Sequence, residues 1–240
     1  MSDHRHGLRG VESDSPWPVI GRRRLPPLLV GLSLIAAGLA ILLAGAFATS
    51  HYPFAFDRAI IVGLRQWGGP AWLPKVARDV TALGGGVVLT IVVVAVAGFL
   101  IVQRLWLTAL AVTLASLTGG GAVDVIKKLV LRARPDLVPH LVDASGYSFP
   151  SGHATSSAVV YLTLAALAGQ VTRDRIGRRY LLVVAVLLVG AIGCSRVYLG
   201  VHWPSDVLAG WSFGTLWALG WWTATASARA AIGGERRPPT

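Results

Sequence analysis

The sequence predicts an all-α, polytopic membrane protein: six transmembrane helices, with short amphipathic helices in the first extracytoplasmic loop. Three observations predict it. The 240-residue chain is 54% hydrophobic and 14% charged, where a soluble domain is nearer a quarter charged. Six stretches, Leu25–Thr49, Leu83–Val102, Leu105–Val123, Ala154–Val171, Tyr180–Ser195 and Val207–Ala228, contain no Asp, Glu, Lys, Arg or His. A helix needs about 20 apolar residues to cross a bilayer, in a range of roughly 17–25. Five stretches reach that range unaided, and the Tyr180 stretch does so by running on through Leu199. Finally, Arg104, Arg173, Arg175, Arg178 and Arg179 in loops, with Arg5, Arg9 and Arg22–Arg24 before the first run and Arg229, Arg236 and Arg237 after the last, fall on one face of a six-span layout. The positive-inside rule makes that face cytoplasmic, with both termini on it. The net charge of +11 therefore reads as topology, and nucleic-acid binding is not expected.

Taken in order, residues 1–24 are polar and rich in Ser, Pro, Gly and Arg, the composition of a disordered tail; His4 and His6 belong to it. Arg22–Arg24 ahead of an apolar run, with Ala44-Gly45-Ala46 beyond, resembles a signal peptide, but the apolar core of such a peptide is about 7–15 residues. Leu25–Thr49 is longer and reads as the first retained span. In His51–Ala82, Phe54, Phe56, Ile60, Ile61, Leu64 and Trp67 recur near helical spacing with Asp57, Arg58 and Arg65 between them. That pattern suits an amphipathic helix in the outer interface, broken by Pro70 and Pro74 before a second short helix around Val76–Ala82. A lid over a lipid entrance and a plain connector both fit. Small residues (Gly119–Gly121; Gly190 and Gly193; Gly210, Gly214 and Gly220) permit close helix packing in lipid. Trp203, Trp211, Trp217, Trp221 and Trp222 are placed to anchor the last span at the interfaces. The one cysteine, Cys194, lies in an apolar run and reads as a small packed hydrophobe. One six-span domain over 25–229 and a tail over 230–240 complete the organisation.

Three clusters carry chemistry, and all fall on the outward face. Lys127 and Arg134-Pro135 lie seven positions apart, about two helical turns, so both cations face one way if the helix holds to Pro135. Cations at the mouth of a span call for an anion or water, though snorkelling at a helix end is the plainer reading. Pro150-Ser151-Gly152-His153 precedes the fourth span; Ser151 suits an N-cap and Gly152 lets a ligand approach the backbone. A helix N-terminus attracts anions. In Ser195-Arg196, His202 and Asp206, the last two are four apart, so the carboxylate can reach one imidazole nitrogen and make the other more nucleophilic. A structural His–Asp pair capping a helix is the alternative. Arg196 offers a planar fork for phosphate oxygens, and Pro204 suits a first helical turn.

In this order the clusters resemble the signature of the type 2 phosphatidic acid phosphatase superfamily, Lys-x6-Arg-Pro, Pro-Ser-Gly-His, Ser-Arg-x5-His-x3-Asp. Every fixed position is matched: Lys127, Arg134, Pro135; Pro150, Ser151, Gly152, His153; Ser195, Arg196, His202, Asp206. The resemblance implies that His202 attacks phosphorus, oriented by Asp206, and that His153 protonates the departing oxygen. It implies that Lys127, Arg134, Arg196, Ser151 and the Gly152 N–H hold the phosphoryl oxygens, with no metal or other cofactor. Asp124, one turn before Lys127, is expected to support Lys127 or Lys128 as an ion pair. Lys128 and Arg132 are expected to add local positive potential or to be solvated helix-end charges, while Asp143, Tyr147 and Ser148 are placed near a headgroup. His140 reads as a loop residue.

The implied substrate is a lipid phosphate or diphosphate of the outer leaflet: a polyprenyl diphosphate, phosphatidic acid or phosphatidylglycerophosphate. Transfer of the phosphoryl group to a second lipid uses the same signature. Vanadate-dependent haloperoxidases also resemble it, but they are soluble and larger. A channel or carrier would leave the histidines and cations without a task. Oligomeric state is not readable from the sequence.

Overall fold

The apolar runs form helices close to where the sequence puts them. The structure, a computed structural model, describes residues 27–49, 54–171 and 174–232. In order come α1 (Pro27–Thr49), α2 (Ala55–Trp67), α3 (Leu73–Ala82), α4 (Gly86–Val102), α5 (Trp106–Val130), α6 (Gly152–Ser157), a π-turn (Ala158–Leu162), α7 (Thr163–Val171), α8 (Arg175–Tyr198) and α9 (Pro204–Ala231), and no strand occurs among the described residues. The expected tail over 1–24, with His4, His6 and Arg22–Arg24, lies outside the described residues, as do His51, Arg173 and residues 233–240.

The six runs correspond to α1, α4, α5, the α6–α7 rod, α8 and α9. By length and hydropathy alone, α1, α5 and α8 each suffice to cross a bilayer; α3 and α4, bent by 45°, add a fourth if the pair is one span. The others fall short for visible reasons. The fourth run holds together across the π-turn but is short, Gly152–Ala168, and Gly, Trp, Ser and Thr spread along α9 hold down its hydropathy. Amphipathic α2 and α3 lie between α1 and α4. On α2, Ile61 is buried while Phe54, Phe56, Ile60 and Trp67 stay exposed.

The last helix, α9, is the hub, packing on α1, α5, α6, the π-turn, α7 and α8. Small residues set these distances. A Cβ on Gly220 would stand 2.9 Å from Gly31 O, and one on Gly214 would stand 2.5 Å from Ala158 Cβ and 3.0 Å from Thr155 O. Gly119 meets Val159 and Trp217, and Gly193 meets Trp211, whereas Gly120, Gly121 and Gly190 have nothing within 4 Å. One apolar core joins Leu42, Ile126, Phe149, Val159, Phe213 and Trp217.

Two expectations change. Trp217 is buried and donates to Ala115 O (3.0 Å), Trp203 is buried and donates to Ala133 O (3.0 Å), and Trp211 donates to Val189 O (3.1 Å). These indoles tie elements together inside the protein, with Gly119 leaving room for Trp217 and Gly193 for Trp211. Cys194 is exposed on the outer face of α8, since the adjacent Gly193 takes the inward position against Trp211.

Candidate active site

The C-terminal ends of α5 and α8 and the N-terminal ends of α6 and α9 meet at one end of the molecule. His202 stands in the turn between α8 and α9, 2% exposed. Trp203 is the N-cap and Pro204 the first helical residue of α9, where proline's missing N–H costs nothing. That start places Asp206 in the first turn, with its Oδ2 3.4 Å from His202 Nδ1 while accepting the Trp203 N–H at 3.0 Å. One carboxylate oxygen thus both caps the helix and faces the imidazole. His202 Nε2 lies 3.2 Å from Arg134 Nη1. Burial pushes the His202 ring down to about 4, against the raising effect of its bond to Asp206. The ring is therefore neutral near pH 7, and a neutral ring with its proton on Nδ1 toward Asp206 presents a lone pair at Nε2.

Arg134 reaches the site by a route the spacing did not indicate. Rather than running to Pro135, α5 stops at Val130, where Leu131 turns left-handed (φ 54°) and its N–H closes on Lys127 O. The chain leaves extended, because a residue before proline is pushed out of the α region and Ser148 N–H claims Arg132 O (2.8 Å). Lys127 and Arg134 therefore come from a helix end and an extended segment, not from one helical face. The Arg134 fork is fixed by carbonyls at all three nitrogens: Gly146 (3.0 Å), Val201 (2.8 Å) and Ser145 (2.7 Å). Burial lowers its basicity from the ordinary guanidinium value.

Lys127 donates to Tyr147 O (2.7 Å). The expected ion pair with Asp124 does not form: Asp124 is exposed, and the lysine amine turns to the 147 loop instead. Arg196 is buried; its Nη1 donates to Thr81 Oγ1 (3.2 Å) and its Nε has no partner. Ser195 donates to Ile192 O (2.6 Å). Lys127, Arg134 and Arg196 lie close enough for their charges to repel.

Pro150 follows Phe149 through a cis peptide bond, and Pro135 O faces His140 Nε2 at 2.7 Å. Ser151 holds the N-cap position of α6, but its hydroxyl does not cap; Oγ is buried without a partner. The backbone does the joining: Ser151 N–H donates to Asp206 O (3.1 Å) and Ser151 O accepts from Thr155 N–H (2.9 Å) and Thr155 Oγ1 (2.8 Å). A Cβ on Gly152 would meet only Lys127 Cε, at 3.8 Å, so bare backbone lies open beside the lysine. His153 is half-buried against the α3–α4 turn, where a Cβ on Gly84 would stand 3.4 Å from its Cβ. Two helical turns on, Tyr161 donates to Leu83 O (2.7 Å) and edges an apolar cavity of about 780 Å³ between α4, α5, α7 and α8.

Four residues outside the signature complete the site. Thr81 holds Arg196. Arg132, expected as a solvated or field-adding cation, is instead 6% exposed. Its Nη1 donates to Asp206 Oδ1 and to Ser205 Oγ (2.9 Å), its Nη2 to Asp57 Oδ2 (3.2 Å), and its guanidinium covers the Trp203 ring at 5.5 Å. Asp57, fully buried, also accepts the N–H of Ser205 (2.8 Å), its hydroxyl (2.7 Å) and the N–H of Phe54 (3.2 Å). The sequence carried a signal for Asp57: it shares the apolar stripe of α2 with Ile61 and Leu64, at i, i+4 and i+7.

The helical bundle thus brings a buried His–Asp pair, unpartnered polar atoms on Ser151 and Arg196 and the three cations together at one end of the molecule. The model of the PAP2 superfamily matches residues 104–229, and the chain belongs to that superfamily. It is 35% identical to phosphatidylglycerophosphatase B of Bacillus subtilis over 147 residues, 60% of this chain and 71% of that one. It is 36% identical to the decaprenylphosphoryl-5-phosphoribose phosphatase of Mycobacterium tuberculosis H37Rv over 115 residues, 47% of this chain and 56% of that one. The crystal structure of a transmembrane PAP2-type phosphatidylglycerolphosphate phosphatase from Bacillus subtilis superposes with a TM-score of 0.67 at 28% identity, covering 86% of this chain and 98% of the other.

Proposed function

We propose that the protein is an integral membrane lipid phosphatase that hydrolyses a phosphate monoester or diphosphate through a phosphohistidine on His202, without metal. Nε2 attacks phosphorus while Asp206 keeps the proton on Nδ1 and stabilises the charge that develops on the ring. His153 donates a proton to the departing lipid oxygen, and then takes one from the water that cleaves the N–P bond. Lys127, Arg134, Arg196, the Ser151 hydroxyl and the Gly152 N–H hold the equatorial oxygens, where charge accumulates. Six spans carry this domain, with both termini cytoplasmic and the site extracytoplasmic. Pro135, Pro150 and Ser195 support the chain around the site, and Asp124 acts on Lys127 through its charge alone.

The observation that carries the reading is the split environment of His202, with Asp206 at 3.4 Å on one nitrogen and Arg134 at 3.2 Å on the other. The apolar cavity two turns below His153 supports a substrate with a hydrocarbon tail. A polyprenyl diphosphate, phosphatidic acid and phosphatidylglycerophosphate are the substrates to compare, by phosphate release from purified protein in detergent. His202→Ala should abolish release and the acid-labile phosphoprotein seen after a quench. Wild-type turnover by that variant would remove His202 from the chemistry, and a phosphorylated acceptor lipid without free phosphate would make the protein a transferase.

A further inference from the structure

We infer that Asp57, on the interfacial helix α2, is a positioning residue for the His202–Asp206 pair, acting through Arg132 and Ser205. The inference rests on the reading of His202 as nucleophile. Asp206 has two oxygens with opposed demands. Oδ2 faces His202 and caps Trp203, while Oδ1 is held by Arg132. A guanidinium paired with Asp206 alone would draw its negative charge away from the imidazole. Asp57 prevents this by taking the other arm of the guanidinium at 3.2 Å. Apart from the Phe54 N–H that it caps on its own helix, its other bonds fix the same unit, since Ser205 N–H, an unpaired donor in the first turn of α9, ends on Asp57 Oδ1 at 2.8 Å. The Ser205 hydroxyl closes the ring, donating to Asp57 (2.7 Å) and accepting from Arg132 (2.9 Å). Asp57, Arg132, Ser205 and Asp206 are all buried, from 0% exposed for Asp57 to 7% for Ser205, so water does not screen the exchange of charge among them. Asp57 makes no contact with the atoms that would hold a phosphate. Helix α2 therefore acts as a brace on the dyad.

The experiment compares wild type and Asp57→Asn in detergent with one lipid phosphate, reading kcat, KM, inhibition by inorganic phosphate and the ¹⁵N-imidazole spectrum of His202. The amide keeps an acceptor for Ser205 N–H but loses the charge opposite Arg132. The expected result is a fall in kcat of about 10–100-fold, the scale of lost outer-shell partners. KM and phosphate inhibition stay within about twofold, and the His202 nitrogen shifts move. Unchanged kcat and spectra in folded protein would overturn the inference, and so would a rise in KM matching the loss in kcat with His202 unmoved. Adding Arg132→Gln to Asp57→Asn restores neutrality and should recover turnover above that of Arg132→Gln alone, which leaves Asp57 without its counter-charge. No recovery also overturns it, and this second comparison serves if the single Asp57 variant does not fold. Turnover by His202→Ala would instead sink the nucleophile assignment, leaving a different signature from any Asp57 result.

Discussion

Gly210→Ala should drive the first turns of α6 and α9 apart and slow turnover without unfolding the protein. A Cβ at 210 would stand 2.6 Å from Thr155 Oγ1, 3.1 Å from Thr155 N and 3.3 Å from Ser151 O, where ordinary contact begins at 3.4 Å. If Thr155 stays in place, the helices must separate by about 3.4 − 2.6 = 0.8 Å. If its hydroxyl swings away, the 2.8 Å bond to Ser151 O is lost and the backbone still demands about 3.4 − 3.1 = 0.3 Å. Thr155 is fully buried, so neither route is free. Helix α6 carries His153, and α9 carries Asp206 with His202 in the turn just before it. A 1 Å error in catalytic geometry costs about 100-fold, so kcat should fall by about 4-fold on the smaller shift and about 40-fold on the larger. Overpacking should cost about 1–3 kcal/mol of stability, measured as thermal unfolding in the same detergent as the phosphate-release assay. Gly121→Ala is the control: nothing lies within 4 Å of its Cβ position, so the rate should stay at the wild-type value. A Gly210→Ala protein with wild-type kcat would show that the α6–α9 spacing does not set the reacting geometry.

Activity should survive EDTA, because three cations supply the charge that a metal would; loss in EDTA restored by a divalent ion would refute this. With burial holding His202 at about 4, below its ordinary value near 6.5, the ring should remain uncharged as pH falls from 7 to about 5. ¹⁵N-imidazole spectra titrated in detergent check this, and a midpoint near 6.5 would contradict it. Arg132→Ala leaves Asp57 and Asp206 buried without their shared counter-ion, which should cost about 3–5 kcal/mol of stability. An unchanged melting temperature would mean that water or another cation compensates there.

Much of the bundle was legible because lipid demands long uncharged helices, and six such runs stand out from charged loops. The meeting of His202 and Asp206 was legible because four-residue spacing across a helix start brings two side chains together. The path of the chain between clusters was not. Nothing in Lys127–Pro135 announces a left-handed Leu131, a conformation that β-carbon sterics disfavour and that the ties on either side of it impose here. Arg132 looked like a solvated cation because its partners, Asp57 and Asp206, are 75 and 74 positions away. Ser151 was legible as an N-cap position but not as a free hydroxyl, since the backbone bonds to Thr155 and Asp206 that replace side-chain capping depend on how α9 packs.

The extended exit from α5 places Arg132 and Arg134 two residues apart, on one edge of the chain and about 6.6 Å from each other. One grips Asp206 and the other meets His202. From Asp57 through Arg132 and Asp206 to Arg134, the signs therefore alternate from each contact to the next, with the imidazole set between the last two. An isolated ion pair tolerates exchange of its two charges, because only their product matters. A member of an alternating row does not: Asp57→Arg with Arg132→Asp would set a carboxylate beside Asp206 and break the order at its next step. Polarity here is a property of the whole line, as handedness is of a helix, and cannot be repaired one pair at a time.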